Sequence, residues 1–191
     1  MHRAVFLDRD GTLIAEKNYL SRVEEVELFP GTGPALRQLQ TAGFLLIMVT
    51  NQSGIGRGYF TLADAERVNE HLCQTLARDG VRFEKIYLAP EAPDQPSRGR
   101  KPSPQFLFDA RDEFQLDLAE SFMIGDKLID LECGWNAGVK KSILLRTGYG
   151  ASLAQAEAHK LARAMVFDNL TGAADWITQP AASRQDSRNL I

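Results

Sequence analysis

Short apolar runs alternate along this chain with stretches of helical period, and each run stops at a polar or glycine-containing turn. Residues 4–7, Ala-Val-Phe-Leu, are apolar at every position rather than at every second one, as a strand buried on both faces of a parallel sheet must be. A second buried strand is expected at 44–49, and further strands at 83–88, 121–124, 142–145 and 165–167. Between these runs, Gly33-Pro34 opens a helix that carries Leu36 and Leu39 on one face and closes at Gly43. Thr61 is placed as an N-cap ahead of Leu62, Ala65, Val68, Leu72 and Leu76, and Gly80 ends that helix. Further helices are expected around Phe106–Phe114 and over 128–137, 154–162 and 170–177. Strands alternating with helices predict an α/β fold, an open, Rossmann-like parallel sheet with helices on both faces. In such sheets ligands bind beyond the carboxyl ends of the strands, so the functional residues belong at the ends of the apolar runs.

The chain of 191 residues suits one domain, over 1–178, with a polar and aperiodic tail at 179–191 that is expected to be disordered. A net charge of −3 gives no broad basic surface, which argues against nucleic acid as a partner. The apolar run after Met1 breaks at Asp8, too early for a signal peptide, and no later stretch is long enough to cross a membrane, so a cytoplasmic protein is expected. Cys73 and Cys133 have no cysteine or histidine at metal-ligand spacing and read as two small buried hydrophobes. His2, His71 and His159 share no motif, which counts against histidine-based metal or phosphohistidine chemistry.

The first apolar run ends in Asp8-Arg9-Asp10-Gly11-Thr12. Two carboxylates one residue apart at a strand tip can divide the work of a phosphomonoesterase, one attacking phosphorus and the other handling the leaving group's proton. An isolated Asp-x-Asp is more often an acidic turn; here the buried strand before it and Gly-Thr after it favour chemistry. The second run ends in Thr50-Asn51-Gln52-Ser53, whose hydroxyl and backbone N–H groups can hold phosphate oxygens. The glycine-rich stretch that follows lacks the Gly-Lys-Ser/Thr ending of a nucleotide loop, and the next helix is expected only at Thr61. A proline-rich loop over 89–104 delivers Arg100-Lys101-Pro102, where an ammonium can neutralise a phosphoryl group. The fourth run ends in Gly125-Asp126-Lys127-Leu128-Ile129-Asp130. Asp126 falls on the same sheet edge as Asp8, so the two can share a hard cation such as Mg²⁺. Asp130 reads as a helix-start acid favoured by the macrodipole.

Together these four segments resemble the four motifs of the haloacid dehalogenase superfamily, in the family's order, over residues 5–139. The resemblance implies a Rossmann-like fold, Mg²⁺ and an aspartyl-phosphate intermediate. On that basis Asp8 is the nucleophile and Asp10 the general acid and base. Asp8, the Asp10 carbonyl and Asp126 hold the metal, while Thr50 and Lys101 hold the phosphoryl oxygens. The segment between Leu13 and Pro30 is too short for a cap domain, so a capless form is expected, with specificity in the loops.

The finer pattern is similar to the branch of that superfamily acting on heptose bisphosphates, which implies a small phosphorylated sugar as the partner. By the same resemblance Glu16, Lys17, Asn18, Tyr19, Asn51, Gln52, Ser53, Arg100 and Lys127 line the sugar and its distal phosphate, with Arg100 as the phosphate anchor. Many members of that branch carry a Cys/His zinc site before Arg-Lys-Pro; the stretch 89–99 has neither residue type, so no zinc is expected. A monomer is expected. The competing readings are a histidinol-phosphate phosphatase, which has less use for Arg100, and a catalytically idle phosphosugar-binding protein, which the intact Asp8, Asp10, Lys101 and Asp126 set argues against.

Overall fold

The structure, a computed structural model, describes residues 1–180. Its strands are β1 (Arg3–Leu7), β2 (Phe44–Asn51), β3 (Lys85–Ala89), β4 (Phe122–Gly125), β5 (Lys141–Leu145) and β6 (Met165–Phe167). Its helices are α1 (Thr32–Thr41), α2 (Ser53–Gly56), α3 (Leu62–Ala77), α4 (Gln105–Phe114), α5 (Leu128–Ala137), α6 (Gly150–Ala156) and α7 (Leu170–Thr178). The strands form one parallel sheet in the order β3-β2-β1-β4-β5-β6. The order reverses direction between β1 and β4, where Leu7 pairs with Met48 on one side and Ile124 on the other. At such a reversal the connections leave on opposite faces and open a crevice beyond the strand tips.

Because β1 is central, its side chains are buried on both faces. Val5 and Leu7 join Leu36, Leu39, Val68, Leu72, Ala173 and Ile177 in the larger core, beneath α1, α3 and α7. Ala4 and Phe6 face Leu107, Ala110, Met123 and Cys133 on the other side, beneath α4 and α5. These neighbours on both faces explain the unbroken apolar run at 4–7.

Local chemistry sets the helix starts. The Thr61 hydroxyl accepts from Asp64 N at 3.2 Å, and Asp64 Oδ2 accepts from Thr61 N at 2.7 Å, a reciprocal cap for α3. Lys127 N donates to Asp130 Oδ2 at 2.9 Å at the start of α5, and Asn169 Oδ1 accepts from Gly172 N at 3.0 Å at that of α7.

Several expectations need correction. A one-turn helix, α2, precedes Thr61; it is too short for periodicity to reveal, and Gly56 N bonding to Pro90 O at 2.8 Å and Phe60 packed against Gly54 hold it. The helix expected over 154–162 is split into α6 and a 3-10 turn, Ala158–Leu161, which delivers Leu161 to Leu131 and Leu144. Strand β2 runs past Val49 because Thr50 and Asn51 still pair with Leu88 and Ala89. Both cysteines are free; Cys133 is buried as expected, but Cys73 is only partly so. Most of the expected tail, 181–191, lies outside the described residues. Among the described residues no helix is long and apolar enough to cross a membrane.

Candidate active site

The tips of β1, β2 and β4 and the loop before α4 meet at the crevice between β1 and β4. Asp8 directly follows β1, and its Oδ1 lies 2.8 Å from Lys101 Nζ. The same ammonium lies 2.6 Å from Asp130 Oδ1 and donates to Val49 O at 2.7 Å. Burial works against the charge on Lys101, but Asp130 and Asp8 outweigh it and hold the ammonium above the usual lysine range. Asn51 fixes the backbone of this lysine from both sides: its Nδ2 donates to Lys101 O at 3.1 Å and its Oδ1 accepts from Lys101 N at 3.0 Å.

Asp126 is fully buried at the tip of β4. Its Oδ2 accepts from Tyr149 N at 2.8 Å, whereas Oδ1 has no hydrogen-bond partner. Burial, then the charges of Asp8 and Asp130, push its carboxyl up to about 8. Carboxylate oxygens of Asp8, Asp126 and Asp130 lie within 4.8 Å of one another. One lysine spans only Asp8 and Asp130, so a divalent cation is the natural countercharge for the unpartnered oxygen of Asp126. Gly11 and Gly148 shape this nest: a β-carbon on either would come within 2.1 and 2.2 Å of Asp126 Oδ2, and both have positive φ.

Asp10 stands just before the turn at residues 11–13. Gln52 Nε2 donates at 2.8 Å both to Asp10 Oδ2 and to the Thr50 hydroxyl, tying the tips of β1 and β2 together. Arg9 approaches the same carboxylate from the protein side, with Nε 3.0 Å from Oδ2 and Nη2 3.2 Å from Oδ1.

The cavity above has a volume of about 210 Å³. Of the residues singled out in the sequence, Asp8, Asp10, Glu16, Asn18, Tyr19, Asn51, Gln52, Ser53, Lys101 and Lys127 line it. Lys127 Nζ pairs with Glu16 Oε2 at 3.0 Å and lies 4.8 Å from the Tyr149 ring centre. Asn18 and Tyr19 sit side by side in the left-handed region, with φ of 46° and 64°, and Tyr19 meets Tyr59 edge-on at 4.7 Å. Asn adopts this region readily, but a tyrosine there persists only where surrounding contacts impose it. Here Glu16 Oε1 accepts from Asn18 N at 3.0 Å.

Four singled-out residues are not among those lining the cavity: Thr50 and Asp126, both buried, and Lys17 and Arg100. Lys17 turns outward to Glu27 at 3.0 Å. Arg100 stands back from it, donating from Nη1 to Glu91 O at 3.1 Å; burial and then the charge of Arg57 lower its basicity. Conversely, the helix-start reading of Asp130 is incomplete. Asp130 caps α5, but its other oxygen belongs to the Lys101 cluster, which its spacing of one helical turn from Asp126 permits. Tyr149 was missed. It carries no motif, yet it follows β5, and the strand-end rule could have found it.

An HAD-hydrolase-like family model matches residues 99–173. The chain is 41% identical over 145 residues to a D-glycero-beta-D-manno-heptose-1,7-bisphosphate 7-phosphatase of Helicobacter pylori strain J99, spanning 75% of this chain and 83% of that protein. It is 41% identical over 152 residues to the protein of the same name from Escherichia coli K12, spanning 76% and 80%. Among solved structures, the D,D-heptose 1,7-bisphosphate phosphatase from B. bronchiseptica, complexed with magnesium and phosphate, superposes with a TM-score of 0.83 at 30% identity, covering 91% of this chain and 96% of that one.

Proposed function

Given that the chain belongs to the haloacid dehalogenase-like hydrolases, in the family of the heptose bisphosphate phosphatases, and is a phosphatase, we propose that it removes the 7-phosphate of D-glycero-D-manno-heptose 1,7-bisphosphate through an aspartyl-phosphate on Asp8. The observation that carries this reading is Asp8 at the cavity floor, ion-paired to buried Lys101 beside the unpartnered oxygen of Asp126.

In the first half-reaction a carboxylate oxygen of Asp8 attacks phosphorus, and the bond from phosphorus to the sugar oxygen breaks. Asp10 gives that oxygen its proton, so the sugar leaves as an alcohol. In the second, Asp10 takes a proton from a water molecule that attacks the acyl phosphate, and inorganic phosphate departs with Asp8 regenerated. Lys101, the Thr50 hydroxyl and the N–H groups after β2 stabilise the phosphoryl oxygens. The donor set fits magnesium: the carboxylates of Asp8 and Asp126 with the Asp10 carbonyl would hold it. There it would neutralise the phosphate dianion.

A cavity of about 210 Å³ falls below the roughly 300–1,000 Å³ of sites that enclose a drug-sized ligand, so the far end of a sugar bisphosphate must rest on the rim. Glu16, Asn18, Tyr19 and Lys127 supply sugar contacts there, and Arg100, with Arg57 close enough to depress its basicity, supplies positive charge for a distal phosphate. The test is kcat/KM for heptose 1,7-bisphosphate, histidinol phosphate and fructose 1,6-bisphosphate, with the product followed by phosphorus NMR. The heptose should lead and keep its 1-phosphate. Preference for histidinol phosphate would move the protein to another branch of the superfamily.

A further inference from the structure

Arg9, inside the first motif, is fully buried. A buried guanidinium without partners is strongly destabilising, so its contacts show what it is there to hold. Nε and Nη2 form a fork on the two oxygens of Asp10, at 3.0 and 3.2 Å, and Nη1 donates to Asn69 Oδ1 at 2.8 Å. Asn69 is itself buried in α3, a helix that contributes no lining residue to the active-site cavity. The Arg9 carbonyl also accepts from the N–H groups of Thr12, Leu13 and Ile14, so the turn after β1 closes on the same residue.

Asp10 must present its carboxyl to the departing oxygen and then to water, and proton transfer is efficient only when the group is already aimed. We propose that Arg9 and Asn69 form a positioning relay for Asp10. Asn69, fixed by α3, aims the guanidinium; the guanidinium fork fixes the plane of the carboxylate, and Gln52 completes the setting from the cavity side. Arg9 and Asn69 are thus positioning residues that act through Asp10. This inference rests on the acid–base role given to Asp10 above.

The experiment exploits leaving groups. Nitrophenolate departs without a proton, whereas a primary alkoxide needs one, so a misplaced acid penalises the sugar phosphate selectively. Because kcat/KM reports steps up to the first irreversible one, it isolates transfer to Asp8 from the later hydrolysis. Asn69→Leu and Arg9→Lys, the latter keeping charge but losing the fork, should each lower kcat/KM for the sugar phosphate by about tenfold or more, part of the 10²–10⁴-fold that acid–base groups supply. For nitrophenyl phosphate both should stay within about twofold of the parent. Asn69→Asp keeps the acceptor and should keep the parent ratio of the two substrates. Thermal unfolding identifies any variant that fails to fold, and Asn69→Leu then decides alone, because Asn69 also lines a second cavity between α3 and β3 with room for leucine. Equal losses on both substrates, or none, would overturn the relay. Asp10→Asn is the control: if it shows no leaving-group dependence, the acid role of Asp10 falls and the relay with it. If it does and the Asn69 and Arg9 variants do not, only the relay falls.

Discussion

Lys101 sits where its charge has no access to water, and three oxygens, from Asp8, Asp130 and Val49, hold it there. The arrangement sets a cation directly against a carboxylate oxygen of Asp8, beside the further buried acid Asp130. Asp8→Asn removes the attacking oxygen and a metal ligand together, and turnover should vanish in a phosphate-release assay; near-normal rates would end the covalent reading. Arg100 makes a different prediction, since it stands outside the cavity lining with the charge of Arg57 near it. Arg100→Ala should reduce kcat/KM for the bisphosphate about ten- to hundredfold, the worth of charge-assisted hydrogen bonds of roughly 1.5–3 kcal/mol, and scarcely affect a small monophosphate ester. An equal fall on both would reassign Arg100 to the reaction centre. At this scale the motifs were informative because Asp8, Asp10, Gln52 and Asp126 each follow a strand end closely, while Lys101 comes from the loop before α4. Lys17 shows the limit: a loop with consecutive left-handed residues turns its side chains in directions that spacing cannot foretell.

The reciprocal cap at Thr61 makes α3 the helix whose start is best defined. Thr61→Ala should cost about 1 kcal/mol, seen as a lower denaturant midpoint with unchanged slope, because the Asp64 N–H loses its partner. Activity at low temperature should be unchanged, since the cap lies about two helical turns before Asn69 and contributes nothing to the cavity lining. The elements legible in advance were those with strong internal pattern: the apolar run at 4–7 and the helix over 128–137 appear nearly as read. Those that escaped are defined by partners instead. α2 is a single turn among glycines held by Pro90 and Phe60, and α6 stops where Leu161 is needed in the core beside Leu131 and Leu144.

Taken as a whole, the protein concentrates buried acid at one point of the sheet, and that sets its response to pH and metal. The Asp126 carboxyl, ordinarily near 3.8, lies at about 8 in the folded, metal-free chain. Between those values the native state keeps a proton that the unfolded state has released, so the contribution of Asp126 to stability falls as pH rises from about 4 to about 8. Magnesium held by the proposed site would select the ionised form, and the melting temperature it adds should be larger at pH 8 than at pH 6. Thermal unfolding with EDTA and with Mg²⁺ at both values checks this; an increment independent of pH would place the cation elsewhere. Activity lost to EDTA should return with Mg²⁺ alone, and elemental analysis finding a tightly held zinc would contradict the all-oxygen donor set.

The strand order has a further consequence, for synthesis on the ribosome. β1 brings Asp8 out first, but its neighbour β4, with Asp126, emerges only after β2 and β3 are complete, and the N–H that steadies Asp126 belongs to Tyr149. A nascent chain therefore carries the proposed nucleophile through most of translation without Asp126 and Asp130 beside it, and the acidic cluster assembles only when the second half of the sheet docks.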